Sequence, residues 1–241
     1  MSSLQFVTLI ASVLHIGACV VVGVRLLVLA RRTREVPEFL MGTSFVAAGA
    51  ALFFFLVALG REPGSEAAAN AVFGARAMLV VSLVTVLLLA WRVFRPDVLW
   101  ARILVIGGSL VLVSYPFLDA TPAEGDVVHP VYWLVRFGQI VPYAWAASEA
   151  YLYQRDLRRR QRLGLAPEGL LATQVMLWSV GLGVSGLIYL WNTLAIWTRV
   201  HQGLALPVTV VTSILGLVVA VTLWLAFFPP ASWRGDEGAT P

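Results

Sequence analysis

Seven mainly apolar runs divide the chain between short polar connections, approximately Leu4–Ala30, Pro37–Leu59, Ala67–Val93, Leu99–Leu118, Val127–Leu152, Leu170–Trp197 and Leu204–Phe228. Each reaches the roughly 20 helical residues that cross a hydrocarbon core about 30 Å thick. The pattern predicts seven transmembrane helices. Pro37-Glu38 and Pro167-Glu168 open the second and sixth runs, because a proline in the first turn forgoes no hydrogen bond and a carboxylate suits the positive helix end. The matching openings also fit a repeat of three helices, a linking helix and three more.

Composition narrows the class. Hydrophobic residues make up 59% of the 241 and charged residues 12%, with a mean hydropathy of +0.84, whereas soluble domains carry about 25% charge. The expected fold is all-α, a single membrane bundle over residues 1–230 with a short disordered tail over 231–241. A single cysteine, Cys19, excludes a disulfide scaffold and a cysteine-based metal centre.

All 17 basic residues are arginine, and their distribution sets the expected orientation. Arg31, Arg32, Arg34, Arg92, Arg95, Arg102, Arg155, Arg158, Arg159, Arg160, Arg162 and Arg234 fall on one side of the predicted bundle; Arg61 and Arg199 fall on the other, with Glu62, Glu66, Asp119, Glu124 and Asp126. Arginine marks the cytoplasmic side, so the N-terminus is expected outside and the C-terminus in the cytoplasm. The charge is read as a topological signal, with anionic lipid headgroups as partners and no nucleic acid.

In topology the chain resembles the seven-helix rhodopsin and receptor class over nearly its whole length. It has no lysine for a retinal Schiff base, Ala90-Trp91-Arg92 stands at the foot of the third helix in place of Asp-Arg-Tyr, and the seventh helix has no Asn-Pro-x-x-Tyr. Retinal is therefore not expected, and no cofactor is.

Counting 1.5 Å per residue from the cytoplasmic arginines puts His15 and Arg76 roughly 24 Å up, Asp119 about 26 Å and Arg136 about 28 Å. One polar layer in the outer half of the membrane results, with Gln139, Asn192, Tyr115, Tyr189 and Thr212 near its level. Two readings of it stand. In one, Asp119 neutralises Arg76 or Arg136, and His15 donates to a carbonyl. In the other, two arginines against one aspartate seat an anionic or amphipathic ligand in an outward-facing pocket. Intramembrane charge is costly enough to ask for one or the other. Arg25 is close enough to the cytoplasmic cluster to snorkel.

Glu149 lies lower, in the inner half, and is a candidate switch or proton-carrying group, or the partner of a Ser, Thr or Arg. The stretch Arg155-Asp-Leu-Arg158-Arg159-Arg160-Gln-Arg162 anchors topology, contacts anionic headgroups, and is a candidate dock for a cytoplasmic effector. His15, His129 and His201, the last two in separate predicted loops, make no zinc constellation, and no serine nucleophile has a base nearby. A receptor-like ligand-binding protein is the expected function and a small transporter or channel its rival. Exclusive use of arginine suggests a GC-rich bacterial genome and hence an inner membrane.

Overall fold

The structure, a computed structural model, describes residues 3–62, 64–117, 130–165, 171–197, 205–230 and 233. Among these residues it is helical with no strand. The elements are α1 Ser3–Thr33, α2 Val36–Leu59, α3 Glu66–Phe94, α4 Leu99–Val113, a 3₁₀ turn Tyr115–Phe117, α5 Pro130–Gly138, α6 Ile140–Arg162, α7 Leu171–Trp197 and α8 Ala205–Phe227. Six of the helical segments are long and apolar enough to cross a membrane: Leu9–Thr33, Val36–Leu59, Glu66–Phe94, Leu99–Phe117, Leu171–Ala195 and Val210–Phe227. The chain is an integral membrane protein. On α4, Ile103, Ile106 and Leu110 are 62%, 63% and 71% exposed, an apolar stripe that suits lipid and would be unusual in water.

The fifth apolar run departs from expectation. It is divided at Gln139 into α5 and α6, and α6 runs on to Arg162, so the arginine stretch is helical. The reason is local. Pro142 has no N–H for the carbonyl four residues back, that of Gly138, and its ring crowds that carbonyl. Gln139 keeps right-handed helical dihedrals (φ −68°, ψ −23°) and donates its N–H to Val135 at 3.0 Å, so the break is a kink.

Local signals explain other helix ends. Ser65 caps α3 by accepting the Ala68 N–H at 3.2 Å, and Pro37 occupies the first turn of α2, as its position in sequence predicts. Arg34 ends α1 in the left-handed region at φ 61° and donates its N–H to Ala30 at 2.8 Å. That residue turns the chain directly into α2.

Helix α1 packs on α2, α2 on α3, α3 on α6, α6 on α7, α7 on α8, and α8 returns to α1. This ring leaves α4 on the flank of α3. Leu83 and Leu87 of α3 are fully buried and pack in one core with Val105 and Leu112 of α4 and Tyr143 and Ala146 of α6. Small residues bring the helices close. Gly186 of α7 lies against Tyr143, Gly181 against Thr222 of α8, and the Ser179 hydroxyl donates to the Ala147 carbonyl at 2.9 Å. Arg25, expected only to snorkel, donates to the Phe227 carbonyl at the end of α8 at 3.1 Å and lies over the Phe228 ring at 4.4 Å. It caps α8 and ties it to α1.

Candidate functional site

Within the ring, in the half away from the arginine-rich helix ends, lies a cavity of about 420 Å³. Its polar lining comes from Ser12 and His15 of α1, Tyr115 of the 3₁₀ turn, Arg136 of α5, Tyr143 of α6, Ser185, Tyr189 and Asn192 of α7, and Thr212 of α8. Ala51, Leu52 and Phe55 of α2 and Leu79 of α3 supply apolar wall. No carboxylate is among the described lining residues.

The arrangement rests on helical spacing. Tyr132, Arg136, Gln139 and Tyr143 follow at i, i+4, i+7 and i+11, which puts them on one face of the kinked α5–α6 unit. Arg136 donates from Nε to the Tyr132 hydroxyl at 3.1 Å, and its guanidinium lies 5.3 Å from the centre of that ring and 5.8 Å from the centre of Tyr115. Arg76, buried on α3, brings its guanidinium to 5.0 Å from the same Tyr115 ring. One phenol ring therefore meets two cations, and cation–π attraction stabilises each by about 0.5–2 kcal/mol where water is scarce.

Hydrogen bonds orient the rest of the lining. His15 Nδ1 faces the Gly216 carbonyl at 3.2 Å; a carbonyl only accepts, so that nitrogen carries the proton and Nε2 is the acceptor in the neutral ring. Asn192 donates to the Ile188 carbonyl at 2.8 Å and to the Thr212 hydroxyl at 3.5 Å. Tyr143 and Tyr189 stack at 5.4 Å with their rings 14° apart. Below them a second void of about 50 Å³ shares His15, Ala48, Tyr143 and Ser185 with the first and reaches Cys19, Ser44 and Ser82. There Ser44 donates to the Ser82 carbonyl at 3.2 Å.

Of the residues singled out from sequence, His15, Arg136 and Asn192 thus line one cavity, and Arg76 stands behind Tyr115. Gln139 is 0% exposed and outside the lining; neither of its amide atoms has a hydrogen-bond partner among the described residues. Asp119, and with it the expected neutralisation of Arg76 or Arg136, lies outside the described residues, as do His129 and His201. Tyr132 and Tyr143 were missed in the sequence, although their spacing about Arg136 was there to be read.

Glu149 stands elsewhere, near the arginine-rich end. It accepts from Arg95 Nε at 2.8 Å and from Trp145 Nε1 at 3.3 Å. That hydrogen bond and the negative charge hold the Arg95 guanidinium above its usual pKa. Arg155, Arg158, Arg159, Arg160 and Arg162 lie on the exposed last turns of α6, where Arg160 pairs with Asp156 at 3.1 Å. No group of three His, Cys, Asp or Glu able to hold a metal occurs among the described residues.

Comparison with known proteins gives no match to a family model, to a curated protein or to a solved structure.

Proposed function

We propose that this protein is a receptor-like membrane protein that binds an anionic, amphipathic small molecule in the 420 Å³ cavity. One observation carries the reading: Arg136 lines that cavity, only its Nε is hydrogen-bonded among the described residues, and no described lining residue bears a carboxylate. A ligand carboxylate or phosphate supplies the charge-assisted partner for the terminal Nη groups. The apolar wall at Leu52, Phe55 and Leu79 accepts a hydrocarbon body, and the volume falls within the usual range for ligand sites, about 300–1,000 Å³.

In this reading α5 and α6 together make a seventh crossing, and the arginine-rich ends of α1, α3 and α6 face the cytoplasm of a bacterial inner membrane. The cavity then faces outward, and the arginine surface of α6 faces any cytoplasmic partner. The test is binding of dodecanoate, dodecanol and dodecyltrimethylammonium to protein in nanodiscs, followed by tryptophan fluorescence. Saturable binding of dodecanoate alone, lost in Arg136→Gln, is the expected result; equal binding of the cation, or unchanged binding by the variant, overturns the proposal.

The rival reading, a small transporter, draws on the second void, which extends the polar lining past Tyr143 toward Ser44 and Ser82. Uptake of dodecanoate into proteoliposomes that Glu149→Gln abolishes favours that reading; binding without uptake favours the receptor.

A further inference from the structure

A cleft of about 1090 Å³ lies away from that cavity, between the end of α3, the second half of α6 and the first half of α7. Arg95, Arg155, Arg158, Arg159 and Arg162 line it together with Glu149 and Asp156. Both carboxylates are engaged, Glu149 with Arg95 and Asp156 with Arg160. The other four arginines have no carboxylate within 4.0 Å among the described residues. Their spacing at i, i+3, i+4 and i+7 gathers them along one side of the helix.

The same cleft has apolar lining, with Val93 of α3, Leu152 of α6 and Met176 and Val180 of α7, all of them substantially exposed. Arg158 does not simply extend into water: its Nη2 reaches Met176 Sδ across the α6–α7 junction at 3.5 Å. A basic run that serves only to orient the chain needs charge at the membrane surface and nothing more. Here four cations stand beside exposed apolar side chains at the end of a membrane-spanning helix bundle.

We infer that this cleft binds an anionic phospholipid from the surrounding bilayer, its phosphate diester against the α6 arginines and its acyl chains against Val93, Leu152, Met176 and Val180. Guanidinium pairs with phosphate through two parallel hydrogen bonds, and the four unneutralised cations supply the charge complement. Lipid is the occupant because charge and hydrocarbon are offered together. A soluble anion would use only the first.

Native mass spectrometry of protein extracted from bilayers of equal phosphatidylglycerol and phosphatidylcholine tests this. Wild-type protein is expected to retain phosphatidylglycerol in clear excess. R158Q/R162Q lowers that preference about tenfold or more, through the lost charge-assisted hydrogen bonds to the phosphate. R92Q/R102Q is the control: it removes two arginines that lie over the Trp91 ring outside the cleft, and leaves retention unchanged. R158K/R162K, which keeps the charge that guides insertion but loses the planar fork, falls below wild type. The proposal is overturned by equal losses in R158Q/R162Q and R92Q/R102Q, by wild-type retention in R158K/R162K, or by displacement of the lipid with millimolar inorganic phosphate.

Discussion

Gly23 of α1 and Gly42 of α2 meet backbone to backbone: a Cβ built on Gly23 stands 2.9 Å from the Gly42 carbonyl oxygen, and one on Gly42 stands 3.0 Å from that of Gly23. Neither helix can retreat singly, because the obstacle is main chain. Gly23→Ala and Gly42→Ala are each expected to cost about 1–3 kcal/mol through forced separation of the helices. Gly107 of α4, with nothing within 4 Å of its Cβ position, should accept alanine without loss. Thermal unfolding in detergent, compared among the three variants, checks the contrast.

Arg136 draws its position from Tyr132. Removing the phenolic oxygen in Tyr132→Phe deletes the acceptor of the 3.1 Å bond and is expected to weaken dodecanoate binding about threefold to tenfold, the value of one modest hydrogen bond. Arg136→Gln removes the charge itself and should weaken it by tenfold or more. Titration by tryptophan fluorescence separates the two; a larger effect in Tyr132→Phe than in Arg136→Gln would contradict this order.

The ion pair at the other end predicts an asymmetry. Its side chains are 43% exposed for Arg95 and 11% for Glu149. Glu149→Gln leaves an arginine that water can solvate, and the loss should be within about 1 kcal/mol. Arg95→Gln leaves a largely buried carboxylate with, among the described residues, only Trp145 to donate to it, and should cost more. Thermal unfolding of the two single variants reads the difference directly.

Pro142 is expected to hold the bend. Pro142→Ala restores an N–H for the Gly138 carbonyl and removes the ring clash, so α5 and α6 should straighten into one helix. Spin labels at Trp133 and Tyr151, on either side of the kink, should then lie farther apart by electron–electron double resonance. An unchanged distance would assign the bend to packing against α7.

Much of this architecture was legible along the chain because helix formation in a bilayer is local. Ser65 and Pro37 mark helix starts in their immediate neighbourhood, and the apolar runs stand out because lipid accepts no unpaired backbone. The fifth run misled at its ends. Pro142 signals a break by what it does to Gly138, yet length and hydropathy averaged over a span do not register it. The arginines from 155 to 162 read as a connection by charge, whereas α6 carries them as helix, since long cationic side chains cost a solvated helix nothing.

The candidate site divides the same way. Counting residues from the arginine landmarks gave His15 and Arg136 similar depth, for rise per residue is a constant of the α-helix, and both line one cavity. Depth says nothing about azimuth. Gln139 shares the level, yet it is sealed in protein with its amide atoms outside the lining, because helix rotation is set by neighbouring side chains.

The sequence by itself therefore determined that the chain inhabits a membrane, and where its six long apolar helices begin and end to within a few residues. Those are properties of single segments meeting lipid or water. Only the tertiary structure decided that Arg76 and Arg136 share the ring of Tyr115, that Arg25 caps a helix 202 residues away, and that Glu149 is held by Arg95. Each depends on which helices pack together and how each is turned about its axis. Those choices are made by small differences in packing among many faces that are all apolar, and one chain read alone does not display them.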